Sequence, residues 1–167
     1  MRSALATAAP EGESPGQPDA GDILVVGYGN TLRQDDGVGP RVAERIAALG
    51  LPGVRTLALA QLSPEHVEEI SRSRLVVFVD AAAGGDGPMD LQPIGPAESS
   101  QVTTHAVEPA TLLAMARDLF GGAPRAWLLT IRAEMLGFGE EFSSGARLGV
   151  ETAVADISNL VRSRGNP

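Results

Sequence analysis

The sequence predicts an α/β domain: a three-layer sandwich in which a mostly parallel, twisted sheet of about five strands carries helices on both faces. Three observations predict it. Continuous apolar runs, such as Ile23-Leu24-Val25-Val26 and Leu75-Val76-Val77-Phe78-Val79, read as strands buried on both sides. Segments with helical apolar spacing alternate with these runs, as parallel strands require. A chain of 167 residues is long enough for one substantial core.

Each element follows in order. Residues 1–21 are Ala, Pro, Gly, Glu and Ser with little to bury, and are expected to form a disordered tail ahead of one domain at 22–167. Ile23 to Val26 is the first strand, and a Gly-rich turn runs from Gly27 to Gly39. Val38, Val42, Ile46 and Leu49 then give helical spacing that Gly50 ends. Val54 to Ala60 reads as a second strand, and Ser63-Pro64-Glu65 as a helix start with Ser as N-cap. The third strand, Leu75 to Val79, ends at Asp80. A Gly-rich loop leads to Met89–Ile94, an alternating segment suited to a sheet edge, and a polar stretch follows from Gly95 to Thr104. A helix is expected over Pro109 to Phe120, stopped by Gly121-Gly122, then a buried strand over Trp127 to Ile131. Ser143 to Arg162 reads as a closing helix whose apolar face is Leu148, Val150, Val154, Ile157 and Val161.

Composition removes several classes of function. The net charge is −8, and the 13 basic residues, all Arg, form no cluster dense enough to face phosphates, so nucleic acid is not an expected partner. Absence of Cys removes disulfides, thiolate metal sites and Cys nucleophiles together. No stretch approaches the roughly 20 apolar residues of a membrane span, and the Ala-rich start lacks the apolar core of a signal peptide. The expectation is a cytoplasmic monomer with no membrane partner. Gly12-Glu13-Ser14-Pro15-Gly16 matches a serine-hydrolase pattern by letter alone, since Pro-rich coil flanks it where a strand and a helix are needed.

In parallel sheets, ligands bind beyond the C-terminal strand ends. That rule selects Asp36, in the turn after the first strand; Asp80, closing the third; and His105, in a loop able to reach the same edge. Each has a plainer reading. Asp35 and Asp36 suit a helix start, where acids cap and match the dipole, yet two adjacent Asp exceed what capping needs. Asp80 has no partner close by in sequence, and burying it unpaired would cost several kcal/mol. A lone His before a helix is most often a surface or terminus residue. His66, beside Glu65, Glu68 and Glu69, reads as part of a solvated face. Together, two carboxylates and an imidazole suit a divalent transition metal with positions left open for water or substrate. The turn itself fits a dinucleotide poorly. Leu32 stands where a third Gly is needed, no acid ends the second strand, and two carboxylates would repel a pyrophosphate.

The pattern Gly27-x-Gly29-Asn30-x-Leu32-x-x-Asp35-Asp36-Gly37-x-Gly39 resembles the opening signature of nickel-iron hydrogenase maturation proteases. The resemblance continues through Asp80, His105 ahead of Pro109, and Phe138-Gly139 with Ser143 before the last helix, covering about residues 22–162 in consistent order. It implies an aspartyl-type endopeptidase that cleaves the C-terminal extension of a nickel-loaded hydrogenase large-subunit precursor and so activates that enzyme. The nickel is supplied by the substrate, with no permanent cofactor. By motif position Asp36, Asp80 and His105 are both the metal ligands and the catalytic set. Two departures stand out. A D-G-G-T-like box common after the second strand is replaced by Ala58-Leu59-Ala60-Gln61, and a usual Pro-containing segment after the last strand by Arg132-Ala133-Glu134. The alternative reading is a non-catalytic nickel-sensing or chaperone module on the same fold.

Overall fold

The computed structural model describes residues 23–101 and 106–164. The expected tail at 1–21, the Gly12–Gly16 pattern and His105 lie outside the described residues.

β1 (Ile23–Tyr28), β2 (Val54–Leu59), β3 (Leu75–Ala83), β4 (Met89–Ile94) and β5 (Arg125–Ala133) form one sheet in the order β2-β1-β3-β5-β4. β2, β1, β3 and β5 run parallel, and β4 is an antiparallel edge strand. β1 and β3 lie inside the sheet and are covered on both faces, which is why their sequences are unbroken apolar runs. β2, on an edge, is half-buried and carries Arg55 and Thr56 among its apolar residues.

Among the described residues the α-helices are α1 (Val38–Ala48), α2 (Val67–Ser71), α3 (Pro109–Phe120) and α4 (Ser144–Arg164). On one face Val25, Val77, Val79, Leu129 and Ile131 pack with Val38, Val42 and Ile46 of α1 and Val150, Val154 and Ile157 of α4. On the other, Leu24, Val26, Val76 and Phe78 pack with Ile70 of α2 and Leu112 and Leu113 of α3. Each such side chain contributes roughly 1.5–3 kcal/mol of burial. This is the three-layer sandwich expected from the sequence.

Four local expectations need correction. β3 does not end at Asp80; it continues to Ala83 because β5 extends to Ala133 and supplies a register partner for every residue. Ser63 makes no side-chain cap bond, and its hydroxyl is buried without a partner, since a 3-10 turn at Pro64–His66 precedes α2. His66 is half-buried with its ring 3.5 Å from Glu65 Oε1, so it is no freely solvated residue. Leu148 is 59% exposed and stands off the apolar face of α4.

Candidate active site

The chain steps from β1 outward to β2 and then returns across β1 to β3, so the sheet reverses direction between β1 and β3. Loops diverge there and leave a crevice at the C-terminal ends of the strands. The loop bearing Asp36 leaves β1 on one side of that crevice, and β3 carries Asp80 on the other.

Asp36 sits in a 3-10 turn, Gln34–Gly37, between β1 and α1. The Asn30 N–H donates to Asp36 Oδ2 at 2.9 Å, and the Leu32 N–H donates to Asn30 Oδ1 at 2.9 Å. Neither Asp36 nor Asp35 makes a side-chain cap bond for this turn. The close fold of the loop depends on Gly29 at φ +145°. A Cβ there would stand 1.9 Å from the Asp36 carbonyl oxygen. Gln34, at φ 49°, is the described non-glycine residue in the left-handed region, and tertiary bonds hold it there. Its N–H donates to the Gly139 carbonyl at 2.8 Å, and its Oε1 accepts the Gly137 N–H at 2.9 Å. The Phe138-Gly139 element therefore forms a wall of the Asp36 loop, with the Phe138 ring 88% exposed.

Asp35 points the opposite way and is fully buried. Its carboxylate accepts four hydrogen bonds: from the N–H groups of Glu134 (2.8 Å), Met135 (2.9 Å) and Ser143 (2.7 Å), and from the Ser143 hydroxyl (2.7 Å). The same hydroxyl accepts the Ala146 N–H at 3.1 Å and so begins α4. Burial pushes the Asp35 carboxyl up, but the bonds from Met135, Ser143 and Glu134 outweigh it and hold the group below the usual carboxylate range. Asp35 ties the β1 loop to the β5–α4 connection, and Asp36 is the member of the pair left facing the crevice.

Asp80 is half-buried. The Ala81 N–H donates to its Oδ1 at 2.8 Å, and the Tyr28 hydroxyl lies in its neighbourhood. Burial pushes its carboxyl up; the Tyr28 hydroxyl and the Ala81 N–H oppose that, and the nearby Asp36 charge adds to it. Burial and the charges of Asp80 and Glu108 likewise push the Tyr28 phenol up. Asp36, Asp80, Tyr28 and Glu108, the residue before α3, thus share one electrostatic neighbourhood. Sequence reasoning missed Tyr28. The register that sets it beside Asp80 is the only signal, and it needs the strand pairing. Asn30 was legible in the motif, but not its backbone bond to Asp36.

The sequence selected three ligands. The Asp36 charge acts on Asp80 at the C-terminal end of the sheet, and His105 lies outside the described residues. Among the described residues, no group of three His, Asp or Glu side chains is arranged to hold a metal. Beyond Asp80 along β3, a separate cleft of about 490 Å³ is lined by residues of Ala82–Gly87, Thr130 and Arg132. Glu134 is committed through its N–H to Asp35.

No family model matches the chain, and no curated protein matches it in sequence. Solved structures do. The [NiFe] hydrogenase maturation protease HycI from Thermococcus kodakarensis KOD1 is 26% identical, with 85% of this chain and 93% of that one covered at a TM-score of 0.65. A hydrogenase 3 maturation protease is 25% identical, with 80% and 87% covered at 0.60. The hydrogenase maturating endopeptidase HybD from E. coli shares the fold at 21% identity, with 86% and 94% covered at 0.66. In fold the chain resembles the [NiFe] hydrogenase maturation proteases.

Proposed function

We propose that this chain is an endopeptidase that removes the C-terminal extension from the large-subunit precursor of a [NiFe] hydrogenase, using nickel in the precursor as its recognition element. The observation that carries the reading is the pairing of Asp36 and Asp80 across the crevice at the sheet's reversal. Each keeps carboxylate oxygen free of the backbone donor beside it, and the Asp36 charge raises the cost of charging Asp80. A divalent cation arriving with the substrate offsets that repulsion, so the site favours a metal-loaded precursor over an empty one. His105 completes the ligand set in this proposal. The resemblance to HycI, a protease by name, supports the hydrolytic part.

With the ion held, a water oxygen attacks the scissile carbonyl carbon. The ion stabilises the charge developing on the carbonyl oxygen, a free carboxylate accepts the water's proton, and that proton passes to the amine nitrogen of the extension as the C–N bond breaks. The protein acts in this reading as a cytoplasmic monomer. No helix among the described residues is long and apolar enough to cross a membrane.

The test is incubation with nickel-loaded precursor, read by mass spectrometry. The expected result is loss of the extension with the wild-type chain and none with Asp36→Ala, Asp80→Ala or His105→Ala, each still folded by circular dichroism. An intact extension at equimolar wild-type protein would overturn the protease reading in favour of a non-catalytic nickel-sensing module.

A further inference from the structure

We propose that the edge of β3 over Asp80–Ala83, left open where β1 ends, is a docking strip for the precursor's main chain: an extended segment flanking the scissile bond adds to the sheet there as a further strand. The inference rests on the protease reading above and deepens it, naming the part of the substrate that is held and the form in which it is held.

The register of the sheet defines the strip. β3 pairs with β1 only as far as Gly27 with Val79, because β1 turns away after Tyr28 into the loop that carries Asp36. On its other edge β3 stays paired with β5 out to Ala83 with Ala133. Asp80, Ala81, Ala82 and Ala83 therefore have a neighbour on one side and, among the described residues, no partner strand on the other. Backbone groups of successive residues in a strand face opposite edges. The Arg125 N–H donates to the carbonyl of Arg74, the residue before β3, at 3.3 Å. Even-numbered residues of β3 thus face β5, and odd-numbered ones face the β1 side. Ala81 and Ala83 direct their N–H and C=O groups out along the open edge. The Ala81 N–H is taken by Asp80 Oδ1 at 2.8 Å, a side chain standing where a strand would supply a carbonyl. The Ala81 carbonyl and the Ala83 N–H are the acceptor and donor that an added strand would satisfy.

Nothing along this stretch blunts the edge. Exposed strand edges usually carry a charge, a proline or a bulge that prevents pairing. Ala81, Ala82 and Ala83 are small and uncharged, and exposure rises from buried Val79 through half-buried Asp80 to exposed Ala83. Gly84 and Gly85 follow at φ +90° and +105°, with open space where a side chain would project. A peptide main chain can therefore come close. At about 3.3 Å per residue, Ala83 stands roughly 10 Å beyond Asp80. A segment held at Asp80 through its metal would pair about three residues away from that point. Pairing of this kind draws its affinity from main-chain hydrogen bonds and admits only an extended segment. A second copy of the chain seated there would cover the crevice that the substrate has to enter.

Ala83→Pro tests the strip, because it removes the outward N–H and leaves the β5 ladder, which Ala82 serves, in place. Ala83→Val is the control, since it keeps the N–H and suits a strand. Single-turnover processing of nickel-loaded precursor is measured across precursor concentrations, with thermal unfolding followed in parallel. For Ala83→Pro the expected result is a half-saturating precursor concentration raised about 3–10-fold, the range of one net hydrogen bond, with a maximal rate and a Tm near those of the wild-type chain. Ala83→Val should match the wild-type chain in all three. Should Ala83→Pro melt early, the precursor supplies the second measurement: single prolines are placed at successive positions away from its scissile bond, and the wild-type chain processes each. Losses are then expected at alternate positions, as every second N–H of a paired strand faces the edge. Wild-type cleavage with an unchanged half-saturating concentration for Ala83→Pro, or with no alternation along the precursor, overturns the inference and leaves the protease reading intact. So does a sedimenting dimer that Ala83→Pro dissolves without changing precursor affinity, which assigns the edge to a second copy. Failure of the wild-type chain to cleave overturns both.

Discussion

Asp35 and Asp80 are both carboxylates withdrawn from water, and their surroundings drive them in opposite directions. Asp35 accepts four hydrogen bonds from two other parts of the chain, and these outweigh its burial, so it stays charged more readily than a free aspartate. Asp80 accepts one, from the Ala81 N–H, with the Tyr28 hydroxyl nearby, and burial together with the Asp36 charge prevails over both. The number of donors, not depth, separates a carboxylate that holds the fold from one kept available for chemistry. The stability held in the first permits the cost left in the second.

The largest effect expected from this contrast is on Asp35. Asp35→Ala strips the acceptor from three backbone N–H groups and the Ser143 hydroxyl in a place water does not reach. Urea denaturation should show a loss of about 4 kcal/mol, a size reserved for broken buried networks. A loss below about 1 kcal/mol would mean that the donors find other partners and that donor number is not the governing variable. Gly39→Ala should follow, at about 3 kcal/mol. A Cβ there would meet the Tyr28 and Val79 carbonyl oxygens at 2.4 and 2.5 Å, where α1 seats against both central strands. Because this moves the strand ends that precede Asp80 and the Asp36 loop, processing should fall along with stability.

Much of the fold was legible because it rests on local pattern. α3 begins at Pro109 and ends at Phe120 as the Pro and Gly signals indicate, with Gly121 at φ +81° closing it. The apolar runs of β1 and β3 announced strands buried on both faces. What pattern cannot carry is strand register and long-range capping. Asp80 looked terminal because its apolar run stops there, and only pairing with β5 extends β3 to Ala83. Of the adjacent pair, sequence indicated that one Asp was surplus to capping. The motif position pointed to Asp36 as the free one, and the physical reason lies outside local pattern: Ser143, more than a hundred residues away, claims Asp35. Tyr28 occupies the variable position of Gly27-x-Gly29, so only the β1–β3 pairing reveals its neighbour.

The smallest effect is the sharpest test of sign. A carboxyl held low in the fold, as Asp35 is, adds stability that is complete above its unfolded-state pKa and is lost as pH falls through its lower folded-state value. A carboxyl held high, as Asp80 is, binds its proton more tightly when folded. Its contribution is therefore complete below the unfolded-state pKa and is lost as pH rises through the higher folded-state value. Asp80→Asn removes that second loss. The variant should match the wild-type chain in acid and exceed it at neutral pH, by under about 1 kcal/mol because a half-buried charge is partly screened. Processing should nevertheless be abolished. Chemical denaturation at a series of pH values measures the difference. If Asp80→Asn were instead less stable at neutral pH, the Ala81 bond and the nearby Tyr28 hydroxyl would outweigh burial and Asp36, and Asp80 would be a second structural clamp of the Asp35 kind.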